Sequence, residues 1–343
     1  MTCKCFLFSS ILFLDKKREG ENEIQTTGKV AERKIHTELN ALPTKKKNYF
    51  LKHWQIYSMI IPGLIYFIIF KYIPLAGSVI AFQDYNVFAG VFKSPFVGLK
   101  HFENLFSYPE FLQILKNTIL ISFYQLIFGF PAPIILALLL NEVRKAYFKR
   151  SIQTILYLPH FLSWVIVGGL IINLLSPSTG VINEVIRFFG GEEIFFMQEA
   201  SYFRSIVVGS SIWKEVGWST IIYLAALAGI NPDLYEAAEV DGAGKFRQAW
   251  SITLPSLLPT IMVLLLLRIG NILDLGFEQI YMLLNPLVRD TGEVIDTYVY
   301  RVGLLGGQYS YTTAIGMFKS VIGFILVVGA NQLSKKITGN SIY

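Results

Sequence analysis

The sequence predicts an all-α integral membrane protein with six transmembrane helices and both its N-terminus and its C-terminus in the cytoplasm. Three observations carry this. Of 343 residues, 53% are hydrophobic and only 16% are charged, where soluble domains carry about 25% charged residues. Six apolar stretches are each long enough to cross a ~30 Å hydrocarbon core at 1.5 Å per residue. Lys and Arg alternate in abundance from loop to loop. The composition excludes a soluble enzyme, a nucleic-acid binder and a disordered scaffold. The net charge of +6 and the pI near 9.1 express a positive-inside bias rather than affinity for nucleic acid.

Residues 1–55 form a polar, basic cytoplasmic tail with 11 Lys and Arg. Within it, 6–14 is apolar but too short to span, and Lys45, Lys46 and Lys47 sit just before the first span, where they suit anionic lipid. Cys3 and Cys5 have no second pair, and the four histidines do not cluster with them, so no metal site and no disulfide is expected. The transmembrane domain occupies 56–334, with spans at 56–82, 114–141, 151–175, 202–229, 256–282 and 313–333. These read as helices, because a barrel would show alternating segments of ~10 residues. Pro62, Pro74, Pro131, Pro133 and Pro159 fall within or near them, tolerable where neighbouring groups satisfy the freed backbone. The tail, loops 142–153 and 230–255, and a short C-terminal tail at 335–343 together hold 19 Lys and Arg, against five in loops 83–113, 176–201 and 283–312. That asymmetry places both ends inside. No repeat of fixed period is visible, which weighs against an inverted-repeat transporter.

The loop at 230–255 is the most informative segment. Asn231-Pro232 starts a short helix with acids in its first turn. Gly242 and Gly244 stop it after about three turns, and a second amphipathic stretch leads into the fifth span. Ala237 and Ala238 leave one side flat enough for another protein to approach. Read alone, this is an ordinary amphipathic loop helix. Its full spacing is more specific: Glu236-Ala237-Ala238, three residues, Gly242, nine residues, Ile252, one residue, Leu254-Pro255. This resembles, position for position, the EAA signature of ABC importer permeases. The resemblance implies that Glu236, Ala237, Ala238, Asp241, Gly242, Leu254 and Pro255 build a coupling element seated in a groove of an ATPase subunit. Glu236 would make the polar contact, Gly242 would allow the turn and Asp241 would help to fix it.

Six spans with the signature between the fourth and fifth fit the type I importer core, over roughly residues 50–343. Ile80-Ala81-Phe82-Gln83-Asp84-Tyr85 and Phe96-Val97-Gly98-Leu99-Lys100-His101-Phe102 look like the MalF-like carbohydrate branch, nearest to oligosaccharide permeases of the LplB and YteP kind. The chain departs from MalF itself in lacking extra N-terminal spans and a large periplasmic insert. The resemblance implies a multi-pass protein of the bacterial cytoplasmic membrane with these partners: a second permease chain (a heterodimer), two cytoplasmic ATPase subunits, and an extracellular or periplasmic solute-binding protein. ATP and Mg would be bound by the ATPase subunits, with no cofactor in this chain. Leu304-Leu305-Gly306-Gly307-Gln308 is similar to an ATPase signature, but the chain has no phosphate-binding loop, so the likeness is chance.

Polar residues within spans are costly, at ~2.5–3.5 kcal/mol for a central charge, and invite functional readings. On a continuous fifth helix, Arg268, Asn271, Asp274 and Glu278 share a sector of about 120°. In the fourth span, Ser211 and Glu215 share a face at i, i+4, as do Lys214 and Trp218, with Trp213 alongside. Carboxylates and amides suit sugar hydroxyls, and indoles stack on pyranose faces. The candidate substrate-binding set is therefore Ser211, Trp213, Glu215, Trp218, Asn271, Asp274 and Glu278. The competing structural reading makes Arg268–Asp274 or Lys214–Glu278 ion pairs that lock helices. Lys71, Lys116, Arg204 and Lys319 read as snorkelling ends, and His160 as a packing residue. The function that follows is one permease half of an ATP-driven, binding-protein-dependent oligosaccharide importer, with no chemistry of its own. The alternative is an ion-coupled secondary transporter using Asp274 and Glu278; a membrane enzyme fits worst, for want of a catalytic or metal-ligand set.

Overall fold

The computed structural model describes residues 53–338, so nearly all of the predicted tail, with Cys3 and Cys5, lies outside the described residues. The chain divides into two compact units, Met1–Pro74 and Leu75–Tyr343. Helix α1, Trp54–Phe82, begins in the first unit. Its Trp54–Phe67 stretch has no buried residue, as expected of a surface that lipid or another chain must cover.

Among the described residues of the second unit the regular elements are all helices, with one isolated bridge between Gln83 and Phe96. After α1 come α2 (Lys100–Ser107), α3 (Pro109–Asn141), α4 (Ala146–Phe161), α5 (Trp164–Leu174), α6 (Val181–Phe188) and α7 (Ala200–Leu227). Then follow α8 (Asp233–Val240), α9 (Lys245–Gly270), α10 (Phe277–Leu283), a two-part α11 (295–305) and α12 (Tyr309–Thr338). Helix α7 is the hub: it packs on α3, α4 and α9, while α12 packs on α9 and α2.

Among the described residues four stretches are π-helical: Val299–Leu305, which is the second part of α11 and precedes no proline, and three turns within long helices, at Ile68–Tyr72, Gln125–Gly129 and Ala249–Thr253. The last three share a cause. Each lies just before a proline: Pro74, Pro131 and Pro255. A proline ring clashes with the carbonyl four residues earlier and offers it no N–H. Those carbonyls belong to Phe70, Ile127 and Ser251, each inside its π turn. The extra residue absorbs the clash without ending the helix.

By length and hydropathy four helices can cross a membrane, α1, α3, α9 and α12, or five if the bent pair α4–α5 is one span. Two of the six predicted spans need correction. The third, 151–175, is not straight: α4 and α5 meet at 104° across Leu162-Ser163. Pro159 tightens the end of α4, and the Ser163 hydroxyl caps α5 by accepting from the Ile166 N–H. The fifth, 256–282, stops at Gly270; Asn271–Gly276 is irregular and α10 starts afresh after Gly276, whose φ is +82°. The predicted stripe of Arg268, Asn271, Asp274 and Glu278 on one helix face therefore does not exist. The predicted fourth span is one unbroken helix, but Arg204, Lys214 and Glu215 lower its hydropathy. At the C-terminus, Lys335 and Lys336 belong to the last turns of α12 rather than to a free tail.

Candidate functional site

Two places concentrate the predicted residues. The first is the corner between α7 and α9. Asn231 Oδ1 accepts from the Asp233 N–H at 3.1 Å, and Pro232 opens α8. The helix is two turns long, shorter than the three expected. It closes in a Schellman motif: Gly242 adopts φ +75°, its N–H donates to the Glu239 carbonyl at 3.0 Å, and the Ala243 N–H donates to Ala238 at 2.8 Å. A side chain at Gly242 would have to enter the left-handed region that L-residues avoid. No separate second helix follows, because Lys245 already begins α9, and the bend lies at Gly242–Gly244 alone.

The corner is fastened to α9. Gln248 donates to the Ala243 carbonyl at 3.0 Å, Lys245 reaches Glu239 at 2.9 Å, and the Tyr235 hydroxyl meets buried Thr253 at 3.0 Å. The Lys245 ammonium beside Glu239 holds its carboxyl below the usual range. The outer face is open, with Glu236, Ala237 and Asp241 exposed beside Val240, Phe246 and Trp250, which are 88%, 85% and 67% exposed. Bare aromatic and aliphatic side chains flanking a rigid polar helix make a surface for another protein. Leu254 and Pro255 do not share that face; they continue α9, and Leu254, like Ile230, packs against the cluster that holds Leu227 and Leu257.

The second place is a cleft of about 430 Å³ between α3, α7 and α9, lined by Gln125, Ser211, Glu215, Ser219, Tyr223 and Arg268 among others. Gln125 and Gly129, both in the π turn of α3, stand on one wall. Ser211 and Glu215 are brought together here as the i, i+4 reading expects. Trp218 stacks on His160, with ring centroids 4.5 Å apart and planes within 2°. The His160 Nδ1–H donates to Glu215 at 2.8 Å, and Lys214 donates to both Glu215 at 3.1 Å and the His160 carbonyl at 2.9 Å. Lys214 also lies over the Trp164 ring, 5.2 Å from its centroid. His160 is thus a structural partner at the α4–α5 bend, and Lys214 satisfies a carbonyl that the bend exposes. Trp213 points away and is 48% exposed.

Trp218 is not part of the cleft's lining, and the rest of the candidate set lies elsewhere. Asn271 and Asp274 line a separate cavity of about 390 Å³ against α12, and Asp274 is bound to Lys319. Glu278 is exposed on α10. Neither anticipated ion pair forms: Lys214 pairs with Glu215, and Arg268 donates instead to the Gln125 side chain. Lys319 is no snorkelling end either. Its side chain is 17% exposed and bridges Asp274 and Asp296, the latter at 2.6 Å. Sequence reading passed over Gln125, although an amide in the middle of the apolar run 114–141 was a readable signal.

A profile of the family described as binding-protein-dependent transport system inner membrane component matches residues 129–339, which contain α8, the bend at Gly242 and two of the cleft's three walls. The chain belongs to that family. This permease is 53% identical over 302 residues to the polygalacturonan/rhamnogalacturonan transport system permease protein YteP of Bacillus subtilis (strain 168), covering 87% of this chain and 94% of that one. Protein LplB of the same organism is 51% identical over 288 residues, covering 84% and 91%. Among solved structures, a bacterial alginate ABC transporter in complex with a periplasmic protein holding an alginate pentasaccharide matches with a TM-score of 0.80 at 44% identity, over 85% of this chain and 98% of the matched one. The protein is therefore a multi-pass inner-membrane permease subunit of a binding-protein-dependent ABC importer. It is not itself catalytic, and ATP is handled by other subunits of the assembly. The ion-coupled secondary transporter is set aside by the same findings.

Proposed function

We propose that this chain forms half of the translocation path of an oligosaccharide importer and receives the ATP-driven stroke at α8. Its partners would be a second, different permease chain, two cytoplasmic ATPase subunits that bind ATP and Mg, and an external solute-binding protein. The observation that carries the reading is the corner itself: an exposed helix, stopped by a positive-φ glycine and tied by side chains to α9. Helix α8 is tied to α9 through Tyr235–Thr253 and Glu239–Lys245, and α9 packs on α7 through Leu227, Leu254 and Leu257; the same two helices wall the cleft. A displacement of α8 by closing ATPase subunits would tilt both helices together and change the cleft's access, a rigid-body switch between two packed states. The saccharide class is supported by the names of the relatives and of the solved transporter, together with the hydroxyl-bearing lining of the cleft.

We read α7 as a membrane span as well, for a total of six. Its 28 residues reach about 42 Å, and the charges that lower its hydropathy are satisfied inside the protein. Lys214 is 5% exposed and bound to Glu215, and Arg204 donates to Asn117 and to the Thr291 carbonyl. Paired, inward-facing charges are how spans carry ionisable groups.

Gly242→Val tests the coupling. The expected result is at least a tenfold loss of ATP-dependent uptake, with the ATPase subunits no longer copurifying while this chain still inserts and extracts normally. Full uptake by Gly242→Val would refute the coupling role of the corner.

A further inference from the structure

Arg268 stands at the C-terminal end of α9, in the wall of the α3–α7–α9 cleft. Its guanidinium donates to Gln125 Oε1, a neutral acceptor, and no carboxylate pairs with it among the described residues. The one acid in the lining, Glu215, is already engaged by Lys214 and His160. Lys214 and Glu215 cancel, so the cleft keeps the full positive charge of Arg268. Gln125 is 4% exposed, and with its Oε1 committed to Arg268 its Nε2 is left as a buried donor with no partner. Arg268 and Gln125 both line a cleft of about 430 Å³, within the ~300–1,000 Å³ range of ligand sites. A half-buried cation with no carboxylate beside it is costly unless something completes it.

We infer that Arg268 and Gln125 form a carboxylate-recognition site, and that the transported oligosaccharide is acidic, carrying uronate groups. This rests on the oligosaccharide reading above and specifies its chemistry. Planar guanidinium groups bind carboxylates through paired charge-assisted hydrogen bonds, and Gln125 Oε1 orients the group by accepting from it. A neutral sugar would leave the charge uncompensated; a uronate completes it. The hydroxyls of Ser211, Ser219 and Tyr223 remain for the ring hydroxyls. Relatives named for polygalacturonan, and a solved importer of the acidic polysaccharide alginate, are consistent with this chemistry.

The test uses the complete importer in lipid nanodiscs without the binding protein, so that upstream selection does not intrude. The probes are a trigalacturonate and its fully methyl-esterified, neutral counterpart, with equilibrium binding measured for each. The wild type is expected to bind the acid at least tenfold more tightly than the ester. Arg268→Gln should abolish that preference while leaving ester binding within about twofold, and Arg268→Lys should retain part of it. If Arg268→Gln keeps the preference, or weakens acid and ester equally, Arg268 is a helix-packing residue and the inference fails while the oligosaccharide reading stands. If the wild type binds both probes with no preference, the inference also fails. If the wild type binds neither probe, and the importer takes up neither when supplied with its binding protein, both readings fall.

Discussion

Lys319 shows how one side chain can decide whether an irregular stretch is tolerable inside a membrane protein. The backbone between Gly270 and Gly276 leaves its helix, and Asp274 comes with it. Lys319 on α12 meets that carboxylate and the Asp296 carboxylate together. Ser122 on α3 donates to the Ile272 carbonyl, so the break has partners on both flanks. Removing the ammonium leaves two acids facing each other. Lys319→Met is expected to cost about 1.5–3 kcal/mol, the scale of a hydrogen bond to a charged group. The midpoint of denaturant unfolding in detergent should fall accordingly; an unchanged midpoint would mean the bridge is ornamental. Asp274→Asn should cost less than Asp296→Asn, because the Asp274 side chain is 61% exposed and that of Asp296 only 25%. Arg301 plays a similar part in the 283–312 loop, where buried Glu293 and then Glu110 raise its pKa further and pin the loop to α3.

At the scale of elements, α7 depends on close approach. An added Cβ at Gly217 would lie 2.1 Å from the Leu156 carbonyl oxygen, a backbone atom of α4 that cannot move aside alone. Gly217→Ala must part the two helices and should destabilise the protein by about 1–3 kcal/mol. Gly209→Ala, on the same helix with nothing within 4 Å, is the control and should be neutral or slightly stabilising. Equal effects at the two sites would refute the packing argument. The predicted element types were legible here, but two spans were too simple. Pro159, Ser163, Asn271 and Gly276 were all visible as punctuation. Average hydropathy conceals such breaks, because the interrupted backbone stays among apolar side chains and finds its hydrogen bonds in tertiary partners.

Taken whole, the chain cannot satisfy its own apolar surface. Only 6–22% of each candidate span's most apolar window is buried within it, so lipid and other subunits must cover the remainder. The α8 corner lies on a different exposed surface, one edged by Val240, Phe246 and Trp250. Hydrogen exchange tests its role. Amides of Asp233–Val240 should exchange at least tenfold more slowly in the assembled importer with its ATPase subunits than in the chain extracted alone. Equal exchange in both would show that α8 is not the docking surface.

The sequence by itself determined the class of the protein. Membrane residence follows from bulk composition, and the corner's helix-and-glycine shape from a local spacing that needs no distant partner: Gly242 stops a helix whatever surrounds it. Tertiary structure alone decided which polar residues meet. Arg268, Asn271, Asp274 and Glu278 looked like one face only while their helix was assumed continuous. Once it breaks after Gly270, Arg268 joins Gln125 across some 140 residues of sequence, while Asp274 turns to Lys319. The physical reason is that a polar group in an apolar interior takes its nearest complement in space, and nearness between helices is set by bends, π turns and small residues rather than by spacing along the chain.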